Sequence, residues 1–132
     1  MSNWRMIDFS ALGDERGSLI ALESHKNIPF LIRRVYYIYD TKIGVSRGFH
    51  AHRDLEQVAV CVSGECTFFL DDGHQREEIL LDSPLKGLYL GSMIWREMSN
   101  FSHNCVLMVL ASRHYDELDY IRNYEDFLRD IK

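Results

Sequence analysis

The stretch RGFHAH, Arg47–His52, sets two histidines two residues apart, directly after a glycine and an arginine. Side chains of an extended strand alternate between faces, so His50 and His52 point one way and Phe49 and Ala51 the other. If the first face looks into a barrel, both imidazoles enter its interior together. His-x-His on a strand often starts a metal site. It equally suits acid–base work, because an unperturbed imidazole titrates at about 6.5.

The surrounding sequence favours a barrel. Short runs rich in Val, Ile, Tyr, Phe and Leu recur along the chain: IRRVYYIY, QVAVCVSG, CTFFL, EEILL, GLYLG and CVLMVLAS. Turn-forming stretches such as GDERG, DTKIG, DDGHQ and LDSPLKG separate them. Regular short strands with tight turns predict an all-β sandwich or barrel. CTFFLDDGHQREEIL reads as a hairpin with Asp72-Gly73 at its tip. The tail HYDELDYIRNYEDFLRDIK differs. Leu118, Ile121, Tyr124 or Glu125, Leu128 and Ile131 recur at helical spacing, with acidic residues early and Arg129 and Lys132 late. One helix or two short ones are expected there, on the outside of the barrel.

The 132 residues suit a single domain, with the barrel spanning about 5–113 and the tail about 114–132. The net charge of −5 argues against general nucleic-acid binding, and an anionic ligand would need a local arginine cluster. Cys61, Cys66 and Cys105 are odd in number and lack metal spacing, so they read as buried free thiols. The N-terminal stretch has no apolar signal core and no segment is apolar enough to span a bilayer, so a cytoplasmic protein is expected.

RGFHAH and its flanks resemble the first motif of the cupin superfamily, G-x5-H-x-H-x(3,4)-E-x6-G. Gly44, His50, His52 and Gly64 fit, but Gln57 stands at the acidic position. Glu56, one residue earlier, fits the shorter spacing from the histidines and then misses Gly64 by one. The second cupin motif brings a further histidine. Here the comparable stretch, GSMIWREMSN, has Arg96 instead. Two imidazoles beside a guanidinium make a poor divalent-metal site. The fold signature stands while the metal signature fails, and the histidines are left as a proton-handling pair.

The strand LIRRVYYIYD adds candidates. Arg34, Tyr36 and Ile38 share one face; Arg33, Val35, Tyr37 and Tyr39 share the other. The sequence leaves open which face points inward. An arginine in an apolar strand calls for an anionic partner, and guanidinium binds phosphate in a forked geometry. Arg47 is a second phosphate candidate. His25, His74, His103 and His114 fall in turns or at the helix start and read as surface residues.

Taken in order, DERGSLIALE, NIPFLIRRVYYIYDT, RGFHAH, LEQVAVCVSGECTFFLDDG, LDSPLKGLYLGSMIWREM and VLASRHYDELDYIRNYEDF resemble the TDP-4-oxo-6-deoxy-D-glucose 3,4-ketoisomerases, the WxcM-like sugar-nucleotide cupins. The resemblance runs from about Ile7 to Phe127. It implies a cupin-type antiparallel β-barrel (jelly roll) with a short C-terminal helical segment. It further implies a homodimer, often with exchanged N-terminal strands, and no metal or other cofactor. The implied substrate is a TDP-linked 4-oxo-6-deoxyhexose, whose carbonyl moves from C4 to C3. An aminotransferase then makes a 3-amino-3,6-dideoxyhexose for lipopolysaccharide O-antigen, S-layer glycan or antibiotics.

On this reading His50, His52 and Tyr36 are catalytic, with His50 as the carbon base. Arg34 and Arg47, or Arg33 if the strand parity is reversed, meet the diphosphate. Gln57 lies in the substrate site, and Arg16 and Arg96 line the face that sets C4 stereochemistry. Three other readings compete: a nucleotide-sugar 3,5-epimerase, a metal-dependent dioxygenase, and a non-catalytic TDP-sugar-binding cupin. Exchange at C5, stoichiometric metal, or binding without turnover would mark each in turn.

Overall fold

The computed structural model describes residues 3–131. Strands β1 (Trp4–Asp8), β4 (Arg34–Ile38), β6 (Gln57–Ser63), β9 (Lys86–Leu90) and β11 (Val106–Ala111) form one antiparallel sheet in the order β1-β9-β6-β11-β4. A second sheet runs β12 (Tyr120–Ile121), β5 (Arg47–His52), β10 (Trp95–Ser99), β7 (Cys66–Asp71) and β8 (Arg76–Leu81). The two sheets face each other as an all-β jelly roll. The hairpin of β2 (Leu12–Asp14) and β3 (Gly17–Leu19) stands apart from both.

The core between the sheets comes from alternate positions on each. Ala59 and Cys61 of β6, Leu107 and Val109 of β11, and Leu88 and Leu90 of β9 meet Phe68 and Leu70 of β7 and Met98 of β10. The run from Gln57 to Cys61 is buried at every residue, not every second one. The reason is that the first sheet is covered on its outer face too. Phe9, Ile28 and Phe30 lie over Val58, Val60, Tyr89 and Leu110. A strand buried on both faces loses its alternation. The three thiols are free and buried, as expected, and their sulfurs converge to within 4.8 Å of one another inside this core. That grouping is invisible in the sequence spacing, since Cys105 comes from another strand turn.

The β7–β8 hairpin forms with Asp72-Gly73 at its tip. Asp72 accepts from the backbone N–H groups of His74 and Gln75, and Gly73 takes a positive φ of 92°. The tail is where helical spacing misleads. Leu118 is 86% exposed, and Tyr120–Ile121 is a strand that pairs with β5. A 3-10 turn occupies Glu117–Asp119, and the helix α1 spans only Tyr124–Asp130. Asn123 caps it by accepting from Asp126 N–H. The helix lies on the outer face of the second sheet, where fully buried Phe127 packs with Ala51, Trp95 and Ile121. Phe127 was absent from the expected stripe, and Lys132 lies outside the described residues.

Candidate active site

The site is built on β5. Its inward face carries His50 and His52, whose rings stand edge to face with centroids 4.9 Å apart. A β-bulge interrupts the pairing of β5 with β10: Arg96 lies opposite His50 while Glu97 lies opposite Gly48. Phe49 is the extra residue, with φ of 57°. Gly48 permits the bend, because its φ is 93° and a Cβ there would sit 2.9 Å from the Arg96 carbonyl.

A cleft of about 540 Å³ opens in front of His50. Arg34 and Tyr36 of β4, Arg47 at the start of β5, and Tyr120 and Arg122 of the tail share its walls. Strand parity is thereby settled: Arg34, Tyr36 and Ile38 face inward, while Val35, Tyr37 and Tyr39 are exposed. Arg33 is not in this cleft. It lines a separate surface depression with Arg113 and His114, so the reversed-parity alternative is set aside. Behind His50 the barrel closes. Tyr36, Gln57, Arg96 and Met98 leave only about 10 Å³.

That closed end is a polar network. Arg96, 3% exposed, donates to Gln57 Oε1 at 2.5 Å and to the Ile94 carbonyl at 3.1 and 3.2 Å. Gln57 Nε2 in turn donates to the Tyr36 hydroxyl at 3.3 Å. Burial lowers Arg96 to about 10, which leaves it charged at neutral pH. The cupin position for an acidic ligand is thus satisfied by a guanidinium hydrogen bond. A neutral amide stands at the carboxylate position and a fixed cation at that of the third histidine, a donor set that repels a divalent ion.

The histidines do not titrate near neutrality, contrary to the simplest reading of the sequence. Burial first, then the Arg96 charge, lowers His50 to about 4. The same two causes, with His50 added, lower His52 to about 2. Both rings are therefore neutral at pH 7. His50 Nδ1 lies 3.0 Å from the Gly48 carbonyl, which can only accept. Nδ1 therefore carries the proton, and Nε2 is left as the basic nitrogen. His52 is 1% exposed and is not on the cleft wall. Burial chiefly raises Tyr36, so its hydroxyl stays protonated.

Arg34 lines the cleft with part of its guanidinium unpartnered. Its Nε is buried with no hydrogen-bond partner among the described residues, and its guanidinium lies over the rings of Tyr36 and Tyr115. Arg47 sits exposed at the mouth. Arg16 is not brought to the cleft within one chain. It occupies the β2–β3 turn, 86% exposed, and pairs with Asp14. His25, His74, His103 and His114 are exposed.

The tail supplies what sequence reasoning missed. Tyr120 packs on both histidines, with centroids 5.0 Å from His50 and 4.4 Å from His52. Arg122 covers Tyr120 at 4.2 Å and binds both oxygens of Glu117. Asp119 Oδ2 lies 2.9 Å from His52 Nδ1.

Residues 2–132 match the family described as FdtA: WxcM-like, C-terminal. A TDP-4-oxo-6-deoxy-alpha-D-glucose-3,4-oxoisomerase from Aneurinibacillus thermoaerophilus is 58% identical over 127 residues, 96% of this chain and 91% of that protein. The TDP-quinovose 3,4-ketoisomerase WlaRB of Campylobacter jejuni superposes with a TM-score of 0.94 at 52% identity, covering 98% of this chain and 99% of the other. The 3,4-ketoisomerase QdtA of Thermoanaerobacterium thermosaccharolyticum was solved as a His-to-Asn mutant with TDP-4-keto-6-deoxyglucose. It superposes with a TM-score of 0.96 at 40% identity, over 99% of this chain and 95% of the other.

Proposed function

The chain belongs to the FdtA family of WxcM-like proteins, and on that premise we propose that it is a sugar-nucleotide 3,4-ketoisomerase. It converts TDP-4-oxo-6-deoxy-D-glucose to a TDP-3-oxo-6-deoxyhexose. The observation that carries the reading is His50. It is a neutral imidazole on the wall of the cleft, with Nδ1 tied to a backbone carbonyl and Nε2 free to act as base.

The 4-ketone acidifies the hydrogen on C3. His50 Nε2 takes that proton, and the C–H electrons form a C3=C4 double bond as charge passes to O4. The O3 proton passes to O4, and as the O3 carbonyl forms the C3=C4 electrons take the proton held on His50 Nε2 at C4, which leaves a 3-ketone, a 4-hydroxyl and a neutral imidazole. The Tyr36 hydroxyl and His52 move the oxygen-bound protons, and the Arg96 charge steadies the anion. Arg34, with its unpartnered Nε, and Arg47 at the mouth hold the diphosphate. Arg96 supplies positive charge inside the barrel, which supports a reaction without a metal.

The working form is a homodimer in the cytoplasm. Exposed Leu12 and Leu19 on the β2–β3 hairpin, Val35 and Tyr37 on edge strand β4 and Tyr39 just beyond it are the apolar surface that a second copy would cover. The 3-oxo product suits an aminotransferase that installs an amine at C3 for a 3-amino-3,6-dideoxyhexose.

The test is His50→Asn and His52→Asn with TDP-4-oxo-6-deoxyglucose, read by proton NMR in deuterated water and coupled to a 3-aminotransferase. Loss of a proton-transfer group costs about 10²- to 10⁴-fold in turnover. Near-wild-type turnover of His50→Asn would sink the assignment of the base. Solvent deuterium at C5 without a 3-oxo product would make the protein an epimerase.

A further inference from the structure

Asp119 carries no signal of its own in the sequence, yet the fold places several interactions on it. It ends the 3-10 turn, immediately before β12. One carboxylate oxygen, Oδ1, accepts the backbone N–H of Asp54 at 2.7 Å. The other, Oδ2, meets His52 Nδ1 at 2.9 Å. Its own carbonyl accepts from Arg53 N–H at 2.9 Å. The connection following His52 is thus clamped to the turn that carries the carboxylate. His52 itself is fixed from both sides: its carbonyl accepts Met93 N–H at 2.8 Å, and its ring packs against Tyr120.

The far ring nitrogen, His52 Nε2, is buried with no hydrogen-bond partner among the described residues. An orphaned nitrogen in so polar a site needs a reason. In a neutral imidazole one nitrogen carries the proton and the other a lone pair. A carboxylate can only accept, so Asp119 requires N–H at Nδ1. The lone pair is thereby sent to Nε2.

We infer that Asp119 is a positioning residue that locks His52 in its Nδ1–H tautomer, keeping Nε2 as a bare proton acceptor on a ring that packs against His50 and Tyr120. The inference rests on the proposed proton-handling role of His52 and adds the group that sets its protonation pattern. His50 receives the same tautomer from the Gly48 carbonyl. The two imidazoles are therefore matched, each with its basic nitrogen away from its anchor. Asp119 touches no reacting atom and acts only through His52.

The two oxygens of Asp119 make Asp119→Asn a sharp probe. Asp54 N–H needs an oxygen, so the amide turns its carbonyl that way and presents NH2 to His52 Nδ1. Nδ1 must then accept, and the proton moves to Nε2. A misplaced tautomer behind otherwise intact geometry can cost several orders of magnitude, as the aspartate-to-asparagine change in a serine-protease triad does.

The experiment uses full-length protein with 15N-labelled histidine and long-range 1H–15N spectra, beside turnover and TDP affinity. The wild type is expected to show His52 protonated at Nδ1, and Asp119→Asn to show it protonated at Nε2. Turnover at saturating substrate should fall about 100-fold or more, with TDP affinity within about twofold. A wild-type spectrum with His52 protonated at Nε2 would overturn the inference without any variant, so a poorly folding mutant cannot shelter it. An unchanged tautomer in Asp119→Asn, or a changed tautomer at full turnover, would do the same. If His52→Asn kept full turnover, the role of His52 would fall, while the tautomer spectra would still judge Asp119.

Discussion

The acid limb of the pH–rate profile is the most exposed consequence of the site's electrostatics. The perturbation is pH, and kcat/KM reports groups of the free enzyme. Burial and Arg96 hold His50 at about 4 against a reference of 6.5. At pH 5.5 a histidine at 6.5 is about 91% protonated and useless as a base, whereas one at 4 is about 3% protonated. The wild type should therefore keep nearly all of its kcat/KM at pH 5.5, where an ordinary histidine base would keep about a tenth. The substrate's bridging diphosphate stays ionised through this range and adds no limb of its own. Initial rates from pH 5 to 9 by the coupled assay measure it, with circular dichroism confirming that the chain stays folded. Arg96→Met adds the sign test. Removing a positive neighbour makes protonation easier, so the limb should move to higher pH. Burial, the larger cause, remains, so it should stop short of 6.5. A wild-type limb centred near 6.5, or an Arg96→Met profile as flat down to pH 5 as the wild type's, would refute the reasoning.

Arg34→Gln should weaken TDP binding about 10- to 100-fold by calorimetry, the cost of one charge-assisted phosphate contact, with little effect on thermal stability. Phe127→Ala should cost about 3–5 kcal/mol in denaturant unfolding, because the ring is fully buried between α1 and the outer face of β5 and β10. Gly48→Ala should destabilise by about 1–3 kcal/mol, since the methyl meets the Arg96 carbonyl at a positive φ. Its turnover should fall as well, because the bulge aims His50. The depressed histidines also predict that stability falls as pH drops. Below about 6.5 the unfolded chain binds protons that the folded chain refuses, at up to about 1.4 kcal/mol per pH unit for each histidine. A melting temperature that rises from pH 7 to pH 5 would contradict that.

The parts of the site legible in the sequence are those written in a period. His50 and His52 share a strand face because their spacing is two, and Arg34 and Tyr36 do so for the same reason. The parity that the sequence left open was decided by tertiary burial, as Tyr36 and Ile38 pack on the core while Tyr37 stays in solvent. Asp119, Tyr120 and Arg122 stayed hidden for a different reason. A two-residue strand has no period, and nearby Leu118, Ile121 and Leu128 imitate a helical stripe. Asp119 reaches His52 across 67 positions of sequence, a distance at which no local pattern signals contact. Arg16 remains on its hairpin, away from the cleft of its own chain.

Gln57 and Arg96 read separately as two losses from a metal motif; in the fold they are one replacement. Gln57 is neutral, so it can accept from Arg96 Nη1 without cancelling the charge and still donate to Tyr36. A glutamate at this position would form a buried ion pair with Arg96. It would also remove the donor to Tyr36 and neutralise the positive field that lowers both histidines. The guanidinium then serves the proposed reaction twice. Before proton transfer it keeps His50 unprotonated, and once charge develops on O4 it supplies the opposite sign inside a low-dielectric barrel. Both effects need the same buried, uncancelled charge. That requirement explains why amide and guanidinium go together here, and why restoring the acidic residue alone, as Gln57→Glu, should raise the His50 pKa and lower turnover rather than recover a metal site.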